Sequence, residues 1–428
     1  MPSALNLTSW SLPKKILFRF FFTLLVLYVF VNNNGAFLYA DQLFYYPTEA
    51  LHLIIPWFSA HILNYNYDFS IFPLGSGDTS YNYVQLLFLV LLSFSMTMVW
   101  SVIDHKRENY SVLYYWLIVL VRFYLAFMLM QYGVAKIIQL QFPQPHLSRL
   151  LQPFGDASPM GLAWTFLGFS KGYNLFMGIV EVSSVLLLFR RTMVAGAFLS
   201  LAASVHVMAM NYFFDVPVKI LSTTLVIMCL FILAPFMVSI GKFFFSEQTQ
   251  ELKIQKGPSY KKRWQLITAI SFKYLIIVWT VCIMLASALS QQYGYGALAP
   301  RATLYGIYTV QVYKLNGKEI LPLITDSTRW RQLVIDREGT ARVRLMDDSF
   351  LSLDTKIDVA KKEIELQTRD EQANRYKFIY ELRKDSTLIL LGHMEKDSVA
   401  ITLKQFDTKK FRLMNRGFHW INERPYNR

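Results

Sequence analysis

The stretches RFYLAFMLMQYGVAK, residues 122–136, and NLFMGIVEVSSVLLLFRR, residues 174–191, decide the fold of this chain. Both are apolar enough to lie in a bilayer, yet both carry ionisable side chains. A charge at bilayer depth is costly unless it is paired or faces a wet cavity. Residues 122–219 are therefore where we expect a function, and their polar side chains are Arg122, Gln131, Lys136, Glu181, His206, Asn211, Asp215 and Lys219.

The composition indicates a membrane protein with an appended soluble domain. Of 428 residues, 54% are hydrophobic and only 17% are charged, which is too apolar for an ordinary soluble chain. The formal net charge is +14, but the basic residues within residues 1–300 lie mostly at the ends of apolar runs, and the chain has no basic stripe interleaved with aromatics. This placement is typical of topology signals and argues against a nucleic-acid partner.

Seven apolar runs predict a polytopic α-helical bundle in residues 1–290. A signal peptide is the alternative for the first run, but no small-residue cleavage site follows it. The predicted spans cover residues 16–31, 82–103, 112–133, 174–189, 193–211, 218–240 and 266–288.

The loops predict the orientation of these spans. Residues 32–81 contain four acidic residues and no Lys or Arg, whereas residues 242–263 contain six basic and two acidic ones. By the positive-inside rule, the N-terminus is cytoplasmic and the chain leaves the seventh span on the periplasmic side. We therefore expect a multi-pass protein of the bacterial inner membrane.

Residues 301–428 predict a periplasmic β domain. Short runs of alternating apolar and polar residues, separated by turn signals such as Asn316-Gly317 and Glu338-Gly339, indicate a small antiparallel barrel or sandwich. Gly306-x-Tyr308 and Trp330 are similar to the entry of a lipocalin-type barrel. Such a barrel either holds one apolar ligand or is filled by its own side chains. The eight predicted strands are 307–313, 332–335, 341–346, 363–367, 376–382, 387–391, 399–404 and 411–414.

The intramembrane charges allow two interpretations. Arg122 and Glu181 lie near mid-depth, so they form either a structural ion pair or the lining of a cavity for a proton, a quinone head group or an anionic substrate. Lys136 is placed just past the outer end of its span. With Asp215 and Lys219 it forms either a lid over such a cavity or a set of interfacial anchors.

The histidines and cysteines limit the cofactors. His206 is the one histidine well inside a predicted span, where it either relays protons or bonds across helices, so a bis-histidine haem is not expected. His146 and Asp156 are a possible acid–base pair in an outer segment. The two cysteines, Cys229 and Cys282, form no CxxC motif, and no iron–sulfur, haem or metal motif is present.

Residues 80–240 resemble the DoxX-like family of bacterial membrane proteins, which is itself similar to the membrane core of the vitamin K-dependent carboxylase group. The resemblance is carried by Arg122 with Tyr132-Gly133-x-x-Lys136, by Gly178-x-x-Glu181, and by Asn211. It implies a four-helix core that works beside quinone- or thiol-linked oxidoreductases, whose redox partner proteins bring their own cofactors. The β domain is an addition to the family pattern.

Three hypotheses follow, and no motif in the chain names a reaction. The first is a redox-associated protein with a quinone cavity lined by Arg122, Tyr132, Glu181 and His206. The second is a non-enzymatic envelope scaffold whose barrel binds a lipid or a protein partner. The third is a carboxylation-type enzyme with Lys136 as its base.

Overall fold

The structure is a computed structural model that describes residues 9–69, 75–246, 257, 260, 262–369 and 374–427. The chain divides into two compact units. The helical unit contains residues 1–143 and 159–297, and the barrel unit contains residues 144–158 and 298–428. The division at residues 297 and 298 falls between the predicted end of the membrane domain at 290 and the predicted start of the β domain at 301, and the segment 144–158 is assigned to the barrel unit.

Eleven helices lie in the described part of the helical unit. They are α1 (Leu12–Val31), α2 (Ala40–Leu43), α3 (Tyr45–His61), α4 (Ser80–Ile103), α5 (Ser111–Ile137), α7 (Pro159–Phe169), α8 (Lys171–Val182), α9 (Met193–Phe213), α10 (Lys219–Leu233), α11 (Met237–Phe245) and α12 (Arg263–Gly294). Local signals fix some of their ends. Thr79 and Asn82 form a reciprocal capping box at α4, and the Ser170 hydroxyl accepts from Tyr173 N at the start of α8.

Six helical stretches among the described residues are long and apolar enough to cross a membrane, where the sequence predicts seven. They are Ser80–Ile103, Ser111–Ile137, Lys171–Leu188, Met193–Phe213, Lys219–Phe245 and Arg263–Gly294. The predicted first span, 16–31, lies in α1, which has 20 residues but carries Lys14, Lys15 and Arg19. With these three charges, α1 does not count among the six helical stretches that are apolar enough to cross a membrane.

The helical unit is built around α5. In its most apolar window 56% of the residues are buried, against 11% in α12, so α5 is the central helix and α12 is peripheral. Arg19 on α1 is fully buried, because its guanidinium donates to the Tyr110 hydroxyl, to Ser101 Oγ and to the Asp104 carbonyl. A buried charge with three partners of this kind holds α1 against α4 and the start of α5.

Three features of the helical unit differ from the predicted spans. Helix α5 continues to Ile137 instead of ending at residue 133. The span predicted at 174–189 begins as α8 and changes at Ser183 to a 3₁₀ helix, Ser183–Leu188. Residues 159–169, which lie between the third and fourth predicted spans, form α7.

The barrel unit is a closed antiparallel β-barrel. Eight strands follow one another as neighbours, and β1 pairs with β9 to close the sheet, while β2 is a two-residue arm on β1. The strands are β1 (Gly306–Leu315), β2 (Lys318–Glu319), β3 (Trp330–Arg337), β4 (Thr340–Leu345), β5 (Phe350–Asp358), β6 (Glu363–Thr368), β7 (Arg375–Leu382), β8 (Thr387–Met394) and β9 (Asp397–Gln405). Because the sheet closes on itself, the predicted barrel is confirmed and the alternative, a sandwich, is excluded.

The barrel interior is filled by its own side chains. One cluster of buried residues from the barrel strands includes Tyr308, Trp330, Leu333, Phe378 and Leu403. Strand β5 is absent from the predicted set because Thr355 interrupts its apolar alternation. The strand predicted at 411–414 is wrong: a 3₁₀ turn capped by Asp407 leads into a short helix, α13 (Arg412–Asn415).

The segment 144–158 packs on the outer wall of the barrel. Its short helix α6 (Leu147–Leu151) buries Leu147 and Leu151 against Ile307 and Val334. The Asp336 carboxylate accepts from Leu147 N at 2.9 Å and from Ser148 N at 3.3 Å. These bonds satisfy amide groups that a helix start leaves free.

Candidate functional site

A buried ion pair lies between α5 and α8. Lys136 Nζ is 2.7 Å from each carboxylate oxygen of Glu181, and the two side chains are 4% and 5% exposed. An unpaired charge at this position would carry a large desolvation cost, so each group requires the other. The sequence places Lys136 beyond its helix; the structure places it in the last turn of α5 and inside the protein.

Two glycines create the ion pair. A Cβ atom built at Gly133 would lie 2.8 Å from the Gly178 carbonyl oxygen, and one built at Gly178 would lie 2.6 Å from the Gly133 oxygen. The backbones of α5 and α8 therefore touch at this crossing, as small residues permit in membrane helices. Lys136 and Glu181 each follow their glycine by three residues and lie on the same helix face as it does.

The ion pair lines a largely apolar cavity of about 160 Å³. Helices α5, α8, α9 and α10 supply its walls, and Phe142 and Trp164 contribute aromatic rings that meet edge to face at 5.0 Å. Lys136 Nζ is 5.8 Å from the centre of the Tyr132 ring and 5.6 Å from that of Phe142. The ammonium group thus has one carboxylate and two aromatic faces around it.

A second cavity of about 240 Å³ adjoins the first. Gly75, Tyr132, Val218 and Leu221 line both. The second cavity is also lined by Asn32, Asn34 and Asn82, so it is more polar than the cavity at the ion pair. The arrangement gives a polar vestibule, a shared wall that contains Tyr132, and an apolar chamber that ends at the Lys136 ammonium group.

Further polar groups lie on the chamber wall. Gln141 Oε1 is buried and has no hydrogen-bond partner in the described part of the chain, and Tyr132 also lines the chamber. Asn211 also lines the chamber, with Nδ2 at 3.3 Å from the Val218 carbonyl oxygen. Such groups can donate to or accept from a bound molecule.

Arg122 does not pair with Glu181, which corrects the first interpretation of these charges. Arg122 Nε donates to the Leu187 carbonyl at 2.7 Å, and Ser184 Oγ donates to the Ala126 carbonyl. Leu187 lies in the 3₁₀ helix, whose last carbonyls lack helical partners. A cation at this helix end is favourable, so Arg122 holds the broken span against α5.

His206 is not part of the chamber. It lies on α9 with its side chain exposed, and it does not line the cavity that contains Glu181. The candidate intramembrane residues from the sequence are Arg122, Tyr132, Lys136, Glu181, His206 and Asn211. The structure brings four of them to one chamber: Tyr132, Lys136, Glu181 and Asn211. Cys229 is buried, Cys282 is exposed, and both are free thiols.

The outer-boundary candidates form two groups: Asp215 and Lys219 lie in the helical unit, and His146 and Asp156 lie in the barrel unit. Lys219 Nζ pairs with Asp215 at 2.9 Å, and it does not join Lys136. Sequence reasoning missed Asp78, whose buried carboxylate accepts from Lys219 N at 2.6 Å and Ile220 N at 3.0 Å. The Gly75-Ser76-Gly77-Asp78-Thr79 turn is therefore tied to the start of α10, beside the shared cavity wall.

His146 and Asp156 line one cleft in the barrel unit, but they do not bond to each other. His146 Nε2 lies 3.3 Å from Arg337 Nη2. Partial burial and the nearby Arg337 guanidinium lower the pKa of His146 below its usual range. A protonated His146 is disfavoured there, so the predicted acid–base pair is replaced by a histidine among arginines.

The described residues include no group of three or more His, Cys, Asp or Glu side chains that could hold a metal ion. Six apolar spans and a closed C-terminal barrel define a multi-pass membrane protein with an appended β-barrel unit. The chain belongs to the family of the uncharacterized protein YwoB of Bacillus subtilis (strain 168), to which it is 39% identical over 115 residues. The matched stretch is 26% of this chain and 71% of YwoB. No model of a known protein family and no solved structure matches the chain.

Proposed function

We propose that this chain is an integral protein of the bacterial cytoplasmic membrane that binds the head group of a quinone at the Lys136–Glu181 pair. In this proposal it takes part in quinone- or thiol-linked redox processes of the envelope, beside a redox partner protein. Membership of the DoxX-like family is part of the same proposal. What supports this membership is that a glycine lies three residues before both Lys136 and Glu181, at the crossing of α5 and α8.

One observation carries the proposal: a buried ammonium group with a free donor at the end of an apolar chamber. Lys136 has three N–H donors, and the Glu181 oxygens account for two of them in the described part of the chain. A quinone presents a flat apolar ring and carbonyl acceptors. The ring suits the walls of Phe142, Trp164 and Leu225, and a carbonyl suits the third N–H of Lys136.

The orientation of the chain belongs to the proposal as well. We place the N-terminus in the cytoplasm and the barrel unit in the periplasm, with α1 as a seventh crossing in addition to the six apolar stretches, because basic residues follow the fourth predicted span and the end of α11. The segment 144–158 supports the four crossings that follow α5. It follows α5 in the chain and belongs to the barrel unit, as does the chain after α12, so in this proposal the ends of α5 and α12 lie on one side of the bilayer.

The proposal is tested by mass spectrometry of small molecules that co-purify with the chain in mild detergent. Wild type is compared with Glu181→Gln and with His206→Ala, a control outside the chamber. We expect a quinone with wild type and His206→Ala and its loss with Glu181→Gln. Equal recovery from all three proteins, or no quinone from any, would count against the chamber as its site.

A carboxylation-type reaction is less well supported by the geometry. A lysine that acts as a base must first give up its proton, and the Lys136 ammonium group is held by both Glu181 oxygens at 2.7 Å. The ion pair would have to open before Lys136 accepted a proton from a substrate. The structure gives Lys136 the role of a donor more directly than that of a base.

The second candidate function is a non-enzymatic envelope scaffold. The observation that favours it is the packing of segment 144–158 on the barrel wall, because this segment follows α5 in the chain and belongs to the barrel unit. Because side chains fill the barrel interior, a lipid or protein partner would bind outside the barrel. A photoreactive residue at Trp420, which is 90% exposed, should then give one defined adduct in intact cells, absent with the same residue at Lys361.

A further inference from the structure

The barrel unit carries a cleft of about 640 Å³ on its outer wall. One side is the segment 146–158, and the other is formed by strands β3, β4 and β5. Arg342 has Val334 and Ser352 as cross-strand neighbours, so these three side chains project from the same outward face of the sheet. The cleft is separate from the chamber in the helical unit, and neither the redox proposal nor the scaffold proposal assigns it a ligand.

Three arginines in the cleft have only neutral partners. Arg149 donates to Gln152 Oε1, Arg342 Nη1 lies 3.3 Å from Ser148 Oγ, and Arg337 Nη2 lies 3.3 Å from His146 Nε2. Within the described ranges, none of the three forms a salt bridge with a carboxylate. All three arginines line the cleft.

The acidic groups of the cleft do not cancel this charge. Asp336 accepts from the Leu147 and Ser148 amides and keeps its negative charge, but the lining contains four arginines and only two carboxylates. The fourth arginine, Arg369, pairs with Asp354 at 2.6 Å. Asp156 is exposed and is the remaining carboxylate on the lining. The lining therefore has a net positive charge, and its free donors are planar guanidinium forks.

Part of the remaining lining is apolar. Val334 and Phe350 contribute apolar side chains to the cleft alongside the arginines. Arginine forks match the oxygens of a phosphate group in pairs, and neighbouring apolar residues accommodate the carbon part of the molecule. A simple inorganic ion would use only the charged part of this surface.

We propose that the cleft binds a phosphate ester, with its phosphate between Arg337, Arg342 and Arg149 and its carbon part against Phe350 and Val334. The ester is either a lipid head group or a soluble phosphorylated molecule, since both present the same oxygens. This inference does not rest on the proposed function of the helical unit. Failure of quinone binding leaves it unaffected.

The test measures the Kd of two probes for the full chain in phosphatidylcholine nanodiscs. The lipid probe is dihexanoyl phosphatidic acid, and the soluble probe is glycerol 3-phosphate. The test variant is Arg337→Gln/Arg342→Gln. The matched control is Arg375→Gln/Arg383→Gln, which removes two exposed arginines of the same unit outside the cleft. Thermal unfolding of each protein checks that the variants fold.

We expect the test variant to bind at least about tenfold more weakly than wild type, because charge-assisted hydrogen bonds are lost. The control should match wild type. Binding of the lipid probe alone assigns the site to a head group, and equal binding of both probes assigns it to the phosphate itself. If neither probe binds wild type, or if a folded test variant binds as wild type does, the proposal is wrong.

Discussion

Lys136 and Glu181 stabilise each other in a place where neither is stable alone. Removing one partner leaves a buried charge uncompensated, whereas replacing both with apolar side chains of similar size removes two desolvation costs. This difference separates the stability of the helical unit from its function, since a double variant can fold and still lack the donor.

We predict that Lys136→Met lowers the free energy of unfolding by about 3–5 kcal/mol. Lys136→Met/Glu181→Met should recover most of that loss. The measurement is the apparent melting temperature in detergent, followed by size-exclusion chromatography, with His206→Ala as an exposed control. A single variant as stable as wild type would show that the pair is not buried as described.

Arg122 shows why an intramembrane charge is not by itself a site. It bonds to the Leu187 carbonyl, at the end of a 3₁₀ helix, and it does not line the chamber. The sequence suggests Glu181 as the partner of Arg122, because both residues lie near the middle of their predicted spans. The sequence does not reveal that the fourth span changes helix type at Ser183, which brings Leu187 to Arg122.

At the scale of elements, the crossing of α5 and α8 determines the site. Gly133 and Gly178 let the two backbones touch, and the side chains three residues further on meet. A methyl group at Gly133 would lie 2.8 Å from Gly178 O and from Val182. The helices would have to separate, and the ion pair would stretch with them.

We expect Gly133→Ala to destabilise the helical unit by about 1–3 kcal/mol and to weaken any ligand held by Lys136. Gly172→Ala is the matched control, since a Cβ atom there meets nothing closer than 4.0 Å. The measurement is thermal unfolding of both variants in the same detergent, which compares their loss of stability. If the two substitutions have equal effects, close helix crossing does not explain the pair.

The elements themselves were largely predictable from the sequence. Hydropathy located the six apolar spans, and alternation with Asn316-Gly317 and Glu338-Gly339 located most barrel strands. Helix α5 continues past its predicted end at residue 133, where Gly133 serves packing against α8. The role of Asp336 could not be predicted, since it bonds to a helix 188 and 189 residues away along the chain.

At the scale of the whole molecule, the orientation in the membrane is open to a direct check. With Cys229 and Cys282 replaced by Ala, a single cysteine is introduced at exposed Lys396 of the barrel unit or at exposed Lys106 after α4. We expect a membrane-impermeant maleimide to label Lys396→Cys in intact spheroplasts, and Lys106→Cys only after permeabilisation. The reverse pattern would contradict the proposed orientation.

The central claim is that the chamber at Lys136 and Glu181 binds a quinone, and direct titration tests this claim most closely. A short-chain quinone is titrated by calorimetry into wild type and into Lys136→Met/Glu181→Met, with His206→Ala as the control. We predict saturable binding to wild type and to the control, and its loss in a double variant that still melts cooperatively. Equal binding to the folded double variant, or no binding to wild type, would contradict the account.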